Sequence, residues 1–450
     1  MSRKSCPAAP RRGVSAPAAT ARRGVARPGR EAAGGFVVRR VGAIDWGTVK
    51  ALLLENIHPE AERILTEKGI EVETRKGALD TGELVEALDG VELLGIRSKT
   101  QVTREVFEAH PNLLSVGAFC IGTNQIDLAA ATEHAVTCFN APYSNTRSVV
   151  ELAVAEIISM ARHLTDKNKA MHEGVWDKSA KGAHEVRGRT LGIVGYGNIG
   201  SQLSVLAETL GMRVYYYDIV DRLPLGNAQR CETLDELLEK VETVSLHVDG
   251  RTGNDNMFGR EQFKRMRPRS LFLNLCRGMV VDYNALRDAL VSGHIAGASV
   301  DVFPNEPKST GDPFSSVLQG LPNVILTPHI GGSTEEAQVD IGRFVAGKLA
   351  SFVSSGSTTL SVNMPQVQLD SAVNGTRLLH LHRNVPGVLA TVNSVLGDHG
   401  INIDRQQLST RGDTGYLVTD AANSGSPDII QEVIREILEL PETIRLSTIN

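Results

Sequence analysis

The sequence predicts an α/β protein: two doubly wound parallel-sheet units followed by a smaller β-α-β-β-α-β unit. Three observations carry the prediction. Short apolar runs alternate with helical stretches twice along the chain, from Val49 to Val116 and from Thr190 to Leu326. The second series opens on a glycine loop, Gly195-Tyr196-Gly197-Asn198-Ile199-Gly200. From Arg377 onward the order changes to strand, helix, strand, strand, helix, strand.

In chain order, Lys50–Leu54 is a short buried strand and Pro59–Gly69 a helix ended by glycine. Strand Val72–Thr74, helix Thr81–Leu88, strand Leu93–Ile96, helix Thr103–Ala109 and strand Leu113–Val116 follow. Such alternation implies a parallel sheet covered by helices. Ser148–Leu164, apolar at Val149, Leu152, Ala153, Ile157 and Ile158, reads as one long helix joining two domains. The second series has strands at Leu191–Val194, Arg213–Tyr217, Thr243–Leu246, Leu271–Asn274, Ala298–Val302 and Val324–Leu326, with a helix at Ser201–Leu210. Short apolar runs bounded by turns suit strands buried on both faces. Ser354–Thr359 reads as linker. Strands at Arg377–His382, Ile401–Thr410, Gly415–Thr419 and Thr443–Ser447, with helices at Pro386–His399 and Asp428–Leu438, make a ferredoxin-like unit.

Composition narrows the function classes. A chain of 450 residues exceeds what one core holds, so two or three domains are expected. Hydrophobic residues make up 41 % and charged residues 22 %, values ordinary for a soluble globular protein. The net charge is -5, yet residues 1–40 carry ten Lys/Arg against one acid. The remaining body is therefore acidic and offers nothing to nucleic acid. Cys6, Cys120, Cys138, Cys231 and Cys276 are scattered without a Cys-x-x-Cys pair, which argues against a disulfide framework or a metal site and fits a reducing compartment. No run of eighteen apolar residues is present, so no membrane span is expected. Residues 1–48 are a basic, acid-poor extension that cannot bury enough surface to fold alone. The reading is a disordered extension on a cytoplasmic protein, with an organelle transit peptide as the alternative.

The glycine loop stands where its chemistry requires, between strand Leu191–Val194 and helix Ser201–Leu210. In the Rossmann fingerprint, Gly195 permits the tight turn, Gly197 the approach of a pyrophosphate, and Gly200 close helix–strand packing. The helix N-terminus adds free N–H groups and partial positive charge. Alone the motif also serves an ordinary turn. Here a second strand follows and ends at Asp218, eighteen residues after Gly200. A carboxylate there accepts from ribose hydroxyls and repels a 2′-phosphate, so NAD is favoured over NADP.

Three polar residues follow late strands of the same series: Arg277 after Leu271–Asn274, Glu306 after Ala298–Val302, and His329 after Val324–Leu326. Reduction or oxidation at a 2-hydroxy acid needs a cation for the carboxylate and a proton carrier near neutral pH. Arginine supplies a planar fork for the first. Histidine supplies the second, and a carboxylate beside it favours the imidazolium and fixes the ring. Singly, each residue has a structural alternative in a salt bridge or turn. Together, downstream of a dinucleotide fingerprint, they read as catalytic.

At these residues the chain resembles the D-isomer-specific 2-hydroxyacid dehydrogenases. The likeness extends to Gly95–Thr100, Cys120–Gln125, Phe139–Ser148 and His329–Thr334, which look like the branch that oxidises 3-phospho-D-glycerate with NAD. The C-terminal unit is similar to the ACT domain through which serine inhibits the short bacterial enzymes of that branch. The resemblance spans about residues 49–450 and implies the first step of serine synthesis. It further implies a discontinuous substrate domain at 49–144 and 332–373, an NAD domain at 145–331 and an ACT domain at 374–450. Arg277, Glu306 and His329 become catalytic. Asn198, Ile199, Asp218, Asp301, Gly331, Gly332 and the backbone at Leu275 and Cys276 line the NAD site. Arg97, Ser98 and Asn145 hold substrate, with Lys76 and Lys178 as phosphate contacts. His382, Asn384 and Asn402 bind serine, and the assembly is a homotetramer. Reduction of 2-oxoglutarate is implied as a side activity. The rival readings are another D-2-hydroxyacid dehydrogenase and a non-catalytic NAD-sensing binding protein.

Three departures from the family pattern stand out. Leu275-Cys276 replaces a small pair and is expected to narrow the nicotinamide pocket. Asn374-Gly375 stands where two glycines form the regulatory hinge. Asp404-Arg405 replaces small residues after Asn402.

Overall fold

The apolar runs pair into three sheets in the computed structural model, which describes residues 49–307, 311–370, 375–422 and 427–449. The expectations for residues 1–48 and for Asn374 lie outside the described residues.

The first sheet contains β1 (Lys50–Leu53), β2 (Glu71–Thr74), β3 (Leu93–Ile96), β4 (Ser115–Ala118) and β5 (Thr137–Asn140), all parallel, in the order β2-β1-β3-β4-β5. Every residue of β3, β4 and β5 is buried, as helices on both faces require. A turn at Pro111–Asn112 delays the ladder, so the fourth strand starts at Ser115 rather than Leu113. The fifth strand, Thr-Cys-Phe-Asn, lacks an aliphatic run and is not evident from sequence.

The second sheet contains β6 (Thr190–Val194), β7 (Arg213–Tyr217), β8 (Gln229–Arg230), β9 (Thr243–Leu246), β10 (Ser270–Asn274), β11 (Ile295–Val300) and β12 (Val324–Leu326). It is parallel throughout, in the order β12-β11-β10-β9-β6-β7-β8. The strand order reverses between β9 and β6, which places a crevice beyond their carboxyl ends. The helix expected over Ser148–Leu164 runs instead from Thr146 to Ala161. His163 takes a left-handed backbone (φ 51°) and a separate helix, Leu164–His172, begins after it.

A 21-residue helix, Glu335–Ser355, carries the chain back to the first sheet. Its Ile341, Val345, Ala346 and Leu349 share one core with Leu53, Leu65 and Phe139. The stretch read as linker is packed: Ser354 and Ser355 end this helix, and Ser357 and Thr358 are buried. Thr358 Oγ1 donates to the Pro365 carbonyl (2.7 Å) and accepts from the Val367 N–H (2.9 Å). Hydroxyls that satisfy a buried backbone give the same composition as a flexible linker.

The third sheet contains β13 (Gly375–Arg383), β14 (Ile403–Arg411), β15 (Thr414–Ala422) and β16 (Thr443–Ile449), antiparallel in the order β14-β15-β13-β16. Helices Val388–Asp398 and Pro427–Glu439 complete the β-α-β-β-α-β order. One face packs on those helices through Leu378, Leu417 and Leu446. The other packs Leu379, Leu381, Tyr416 and Val418 against Ala135, Met364, Val367 and Leu369. Arg445 of β16 crosses this contact and donates to the carbonyls of Leu113 and Ala135 (both 3.1 Å) and of Pro111. No helix among the described residues is long and apolar enough to cross a membrane.

Candidate active site

The glycine loop is shaped by contacts that exclude side chains. Gly195 has φ 92°, and a Cβ there would lie 2.5 Å from the His247 carbonyl oxygen. A Cβ on Gly200 would lie 2.2 Å from the Gly195 oxygen, so helix Asn198–Thr209 sits directly on the turn. Gly197 is the opposite case: nothing lies within 4 Å of its missing Cβ, which leaves the backbone open to a pyrophosphate. It is also the N-cap of that helix and provides no side-chain cap, so first-turn N–H groups stay available. Asn198 is exposed and Ile199 half-buried at this end. These features fit a dinucleotide.

Tyr196, between the glycines, shows no role from the sequence alone. Its buried ring stacks on Tyr216 with centroids 3.9 Å apart, and its hydroxyl pairs with Ser204 (2.7 Å). Its N–H donates to Asp218 Oδ2 (2.7 Å), while Val220 N–H donates to Oδ1 (2.8 Å). Asp218 is thereby fixed at the end of β7 beside the glycine loop.

His329 and Glu306 meet: Nδ1 to Oε2 is 2.8 Å. Glu306 Oε1 also accepts the Phe303 N–H at 3.0 Å. Burial pushes the Glu306 carboxyl up, but the bonds from His329 and Phe303, with the charges of His329 and Arg277, leave it below its ordinary value. The His329 ring is held above the usual histidine value, first by the hydrogen bond to Glu306, with burial opposing. His329 has φ 55°, a strained setting for a residue with a Cβ. Asp301 maintains it. Only 1 % exposed, Asp301 accepts from Thr327 Oγ1 (2.6 Å) and Ile330 N–H (2.8 Å) on one oxygen and Gly331 N–H (2.8 Å) on the other.

Arg277 follows β10 in extended conformation, its Nη1 donating to the Cys276 carbonyl (2.6 Å). Gly278 lets it sit there, since a Cβ would fall 2.1 Å from the Phe303 carbonyl carbon. On its other side Arg277 reaches the first sheet's loops: a Cβ on Gly122 would lie 3.8 Å from Nη2. Leu275 and Cys276 are only 6 % and 7 % exposed and belong to cores flanking the second sheet. Little of either side chain faces the crevice, so the expected narrowing does not come from them. The Cys276 thiol bonds Asn274 Oδ1 (3.1 Å), and burial pushes it up to about 11.

Across the crevice, Arg97 is half-buried and Ser98 exposed in the loop after β3. Lys76 is exposed in the neighbouring loop, which reaches this one through Asn56 and Glu55. Lys178 lies elsewhere, in an exposed segment after helix Leu164–His172 tied to Lys167 through Asp177. Among the described residues no hydrogen bond or ion pair joins Lys178 to Arg97 or Lys76. Asn145 and Gly332 face each other where the chain crosses between sheets; a Cβ on Gly332 would lie 2.3 Å from Asn145 Nδ2. Asn145 Oδ1 is buried without a partner.

In the third sheet, His382 is buried, with Nδ1 on the Arg383 carbonyl (2.9 Å) and Nε2 unpartnered. Asn384 Nδ2 donates to the Gly412 carbonyl (3.1 Å). Asn402 Nδ2 meets Asp404 Oδ1 at 3.4 Å, so one unusual residue engages this amide. The other, Arg405, donates to Asp420 Oδ2 (3.0 Å), which also takes the buried Arg377.

Comparison with known proteins agrees with this geometry. Residues 154–331 match the profile of the D-isomer specific 2-hydroxyacid dehydrogenase NAD binding domain, and residues 378–445 that of the AHAS small subunit-like ACT domain. The D-3-phosphoglycerate dehydrogenase of Escherichia coli K12 is 46 % identical over 398 residues, 88 % of this chain and 96 % of that relative. The D-3-phosphoglycerate dehydrogenase 1 of Saccharomyces cerevisiae is 47 % identical over 395 residues, 85 % of this chain and 84 % of that relative. Among solved structures, a glyoxylate reductase from Paecilomyes thermophila superposes with a TM-score of 0.63 at 25 % identity, covering 70 % of this chain and 98 % of the other. With a glycine loop, an Asp218-closed strand and an NAD-domain match in one sheet, and relatives of this identity along nearly their whole length, the chain belongs to the D-3-phosphoglycerate dehydrogenases within the D-isomer-specific 2-hydroxyacid dehydrogenase family.

Proposed function

We propose that this enzyme oxidises 3-phospho-D-glycerate to 3-phosphohydroxypyruvate with NAD, the first step of serine synthesis. The observation that carries the proposal is the Glu306–His329 pair at 2.8 Å, with the Arg277 charge acting on both partners. When bound, NAD supplies the acceptor for the hydride that leaves C2. The loop Gly195–Gly200 and Asp218 hold the pyrophosphate and ribose, and residues around Leu275, Cys276, Asp301, Gly331 and Gly332 complete that site.

The chain's own groups do the rest. Arg277 forks onto the substrate carboxylate and the C2 oxygen. His329 Nδ1–H is held by Glu306, which leaves Nε2 to take the C2 hydroxyl proton. The Glu306 carboxylate then stabilises the imidazolium. Arg97, Ser98 and Asn145 hold the rest of the substrate, and Lys76 reaches the phosphate. Lys178 is the second candidate phosphate contact, and in a homotetramer it can be supplied by a neighbouring subunit. Residues 49–144 and 332–373 act as the substrate domain, 145–331 as the NAD domain and 374–450 as the ACT domain. The crossovers at Asn145 and Gly332 act as hinges for closure. Serine acts as a feedback effector at His382, Asn384 and Asn402; the buried, unpartnered His382 Nε2 supports this reading. The four free cysteines among the described residues support a reducing, cytoplasmic setting.

The test is NADH formation from 3-phosphoglycerate by the wild-type enzyme and by His329→Ala. Turnover by the first, and a loss of about two to four orders of magnitude in the second, is expected. Equal turnover by both rules out the assigned base.

A further inference from the structure

Glu55 lies two residues beyond β1, with a left-handed backbone (φ 61°) and 7 % exposure. Its carboxylate accepts four successive backbone N–H groups. Oε1 takes Arg97 (3.2 Å) and Thr100 (2.9 Å); Oε2 takes Ser98 (3.1 Å) and Lys99 (3.0 Å). That fills the acceptor capacity of a carboxylate. The Arg97 carbonyl is fixed from the opposite side by Gln125 Nε2 at 2.6 Å. Gln125 is 3 % exposed and also donates to the Gly122 carbonyl (3.2 Å), the glycine that faces Arg277. Both peptide groups of Arg97 are thus held by buried side chains from two other loops.

The place of this clamp gives it meaning. The first sheet reverses its order between β1 and β3, and Glu55 and Arg97 stand at the carboxyl ends of those strands, where such sheets bind ligands. A run of successive N–H groups is an anion nest. Left open, it would draw a phosphate or carboxylate to the backbone and away from the Arg97 side chain.

We infer that Glu55 and Gln125 are positioning residues for the anionic substrate. Glu55 fills the nest with an internal carboxylate, so that the substrate anion is left to the Arg97 side chain. Gln125 keeps Arg97 in register with Gly122 and hence with Arg277. This rests on the reading that Arg97 holds substrate.

The full-length enzyme provides the test, through steady-state kinetics and NADH titration of Glu55→Ala, Gln125→Leu and Arg97→Ala. For Glu55→Ala the KM for 3-phosphoglycerate rises roughly ten- to a hundredfold while kcat stays within about threefold. NADH affinity, set in the other sheet, is unchanged. Added acetate refills the nest and lowers that KM, with no such effect on wild type. Gln125→Leu raises KM without an acetate response. A KM within about twofold of wild type in Glu55→Ala overturns the proposal, as does a KM rise untouched by acetate and matched by lost NADH affinity. Should Glu55→Ala not fold, Gln125→Leu decides, and an unchanged KM overturns the proposal. If Arg97→Ala raises KM and the two clamp variants do not, the clamp alone fails. If Arg97→Ala leaves KM unchanged, the substrate assignment of Arg97 fails and the inference with it.

Discussion

The Glu306 carboxylate holds His329 Nδ1 at 2.8 Å while Asp301 holds the backbone on the far side of the same residue. One carboxylate sets the ring's proton affinity and the other sets where the ring stands. The His329 pKa lies above its ordinary 6.5 because of the hydrogen bond to Glu306, against burial. Oxidation needs the neutral ring, so kcat/KM is lost as pH falls through that raised value. Glu306→Gln removes the hydrogen-bonded charge and moves the acid limb to lower pH. The pH profile of kcat/KM checks this; an unmoved limb contradicts the pairing.

Asp218 receives the Tyr196 and Val220 N–H groups, which fix its carboxylate beside the glycine loop. Asp218→Ala lowers the preference for NAD over NADP by roughly tenfold or more, since like charges in contact cost several kcal/mol. The ratio of kcat/KM values for the two cofactors measures it. An unchanged ratio refutes the ribose assignment.

Glu156 is buried in helix Thr146–Ala161, with neither oxygen in a hydrogen bond that meets ordinary geometry. Burial pushes its pKa up to about 7, the nearby Ser299 hydroxyl opposing and the Asp301 charge adding. The native state therefore keeps a proton that the unfolded state loses above the ordinary 4.5, so Glu156 costs stability as pH rises from there to about 7. Glu156→Gln removes that cost. Its melting temperature exceeds wild type by more at pH 8 than at pH 5. A constant difference between the two pH values contradicts the account.

Serine inhibition is expected to depend on the third sheet. His382→Ala and Asn402→Ala each weaken it about tenfold or more, the scale of a lost hydrogen bond to a charged ligand. Asp404→Ala frees the Asn402 amide and strengthens it. Inhibition curves with serine decide; no change in His382→Ala removes the effector assignment.

The sequence makes the cofactor loop legible because backbone geometry dictates it: only glycine fits at 195 and 200, and those contacts recur wherever a strand turns into such a helix. Arg277, Glu306 and His329 are legible as strand-end residues of one sheet. Glu55 is not, because its partners are backbone N–H groups some 42 to 45 residues away that leave no side-chain signature. Asp301 reads as a cofactor contact, but its bonds to the loop of His329 do not show in the sequence, since two of the three come from backbone N–H groups. The break at His163 and the packing of Ser357 and Thr358 escape notice for a related reason. A left-handed residue and a buried hydroxyl bond depend on surroundings that composition does not encode.

The proposed chemistry is oxidation of a phosphorylated substrate through Arg277, Glu306 and His329. The direct measurement is NADH formation by the full-length enzyme with 3-phosphoglycerate, glycerate and 2-hydroxyglutarate in parallel. The expected kcat/KM for 3-phosphoglycerate exceeds that for glycerate by about two orders of magnitude or more, as loss of charge-assisted phosphate contacts requires. Turnover of an unphosphorylated acid with none on 3-phosphoglycerate would contradict it.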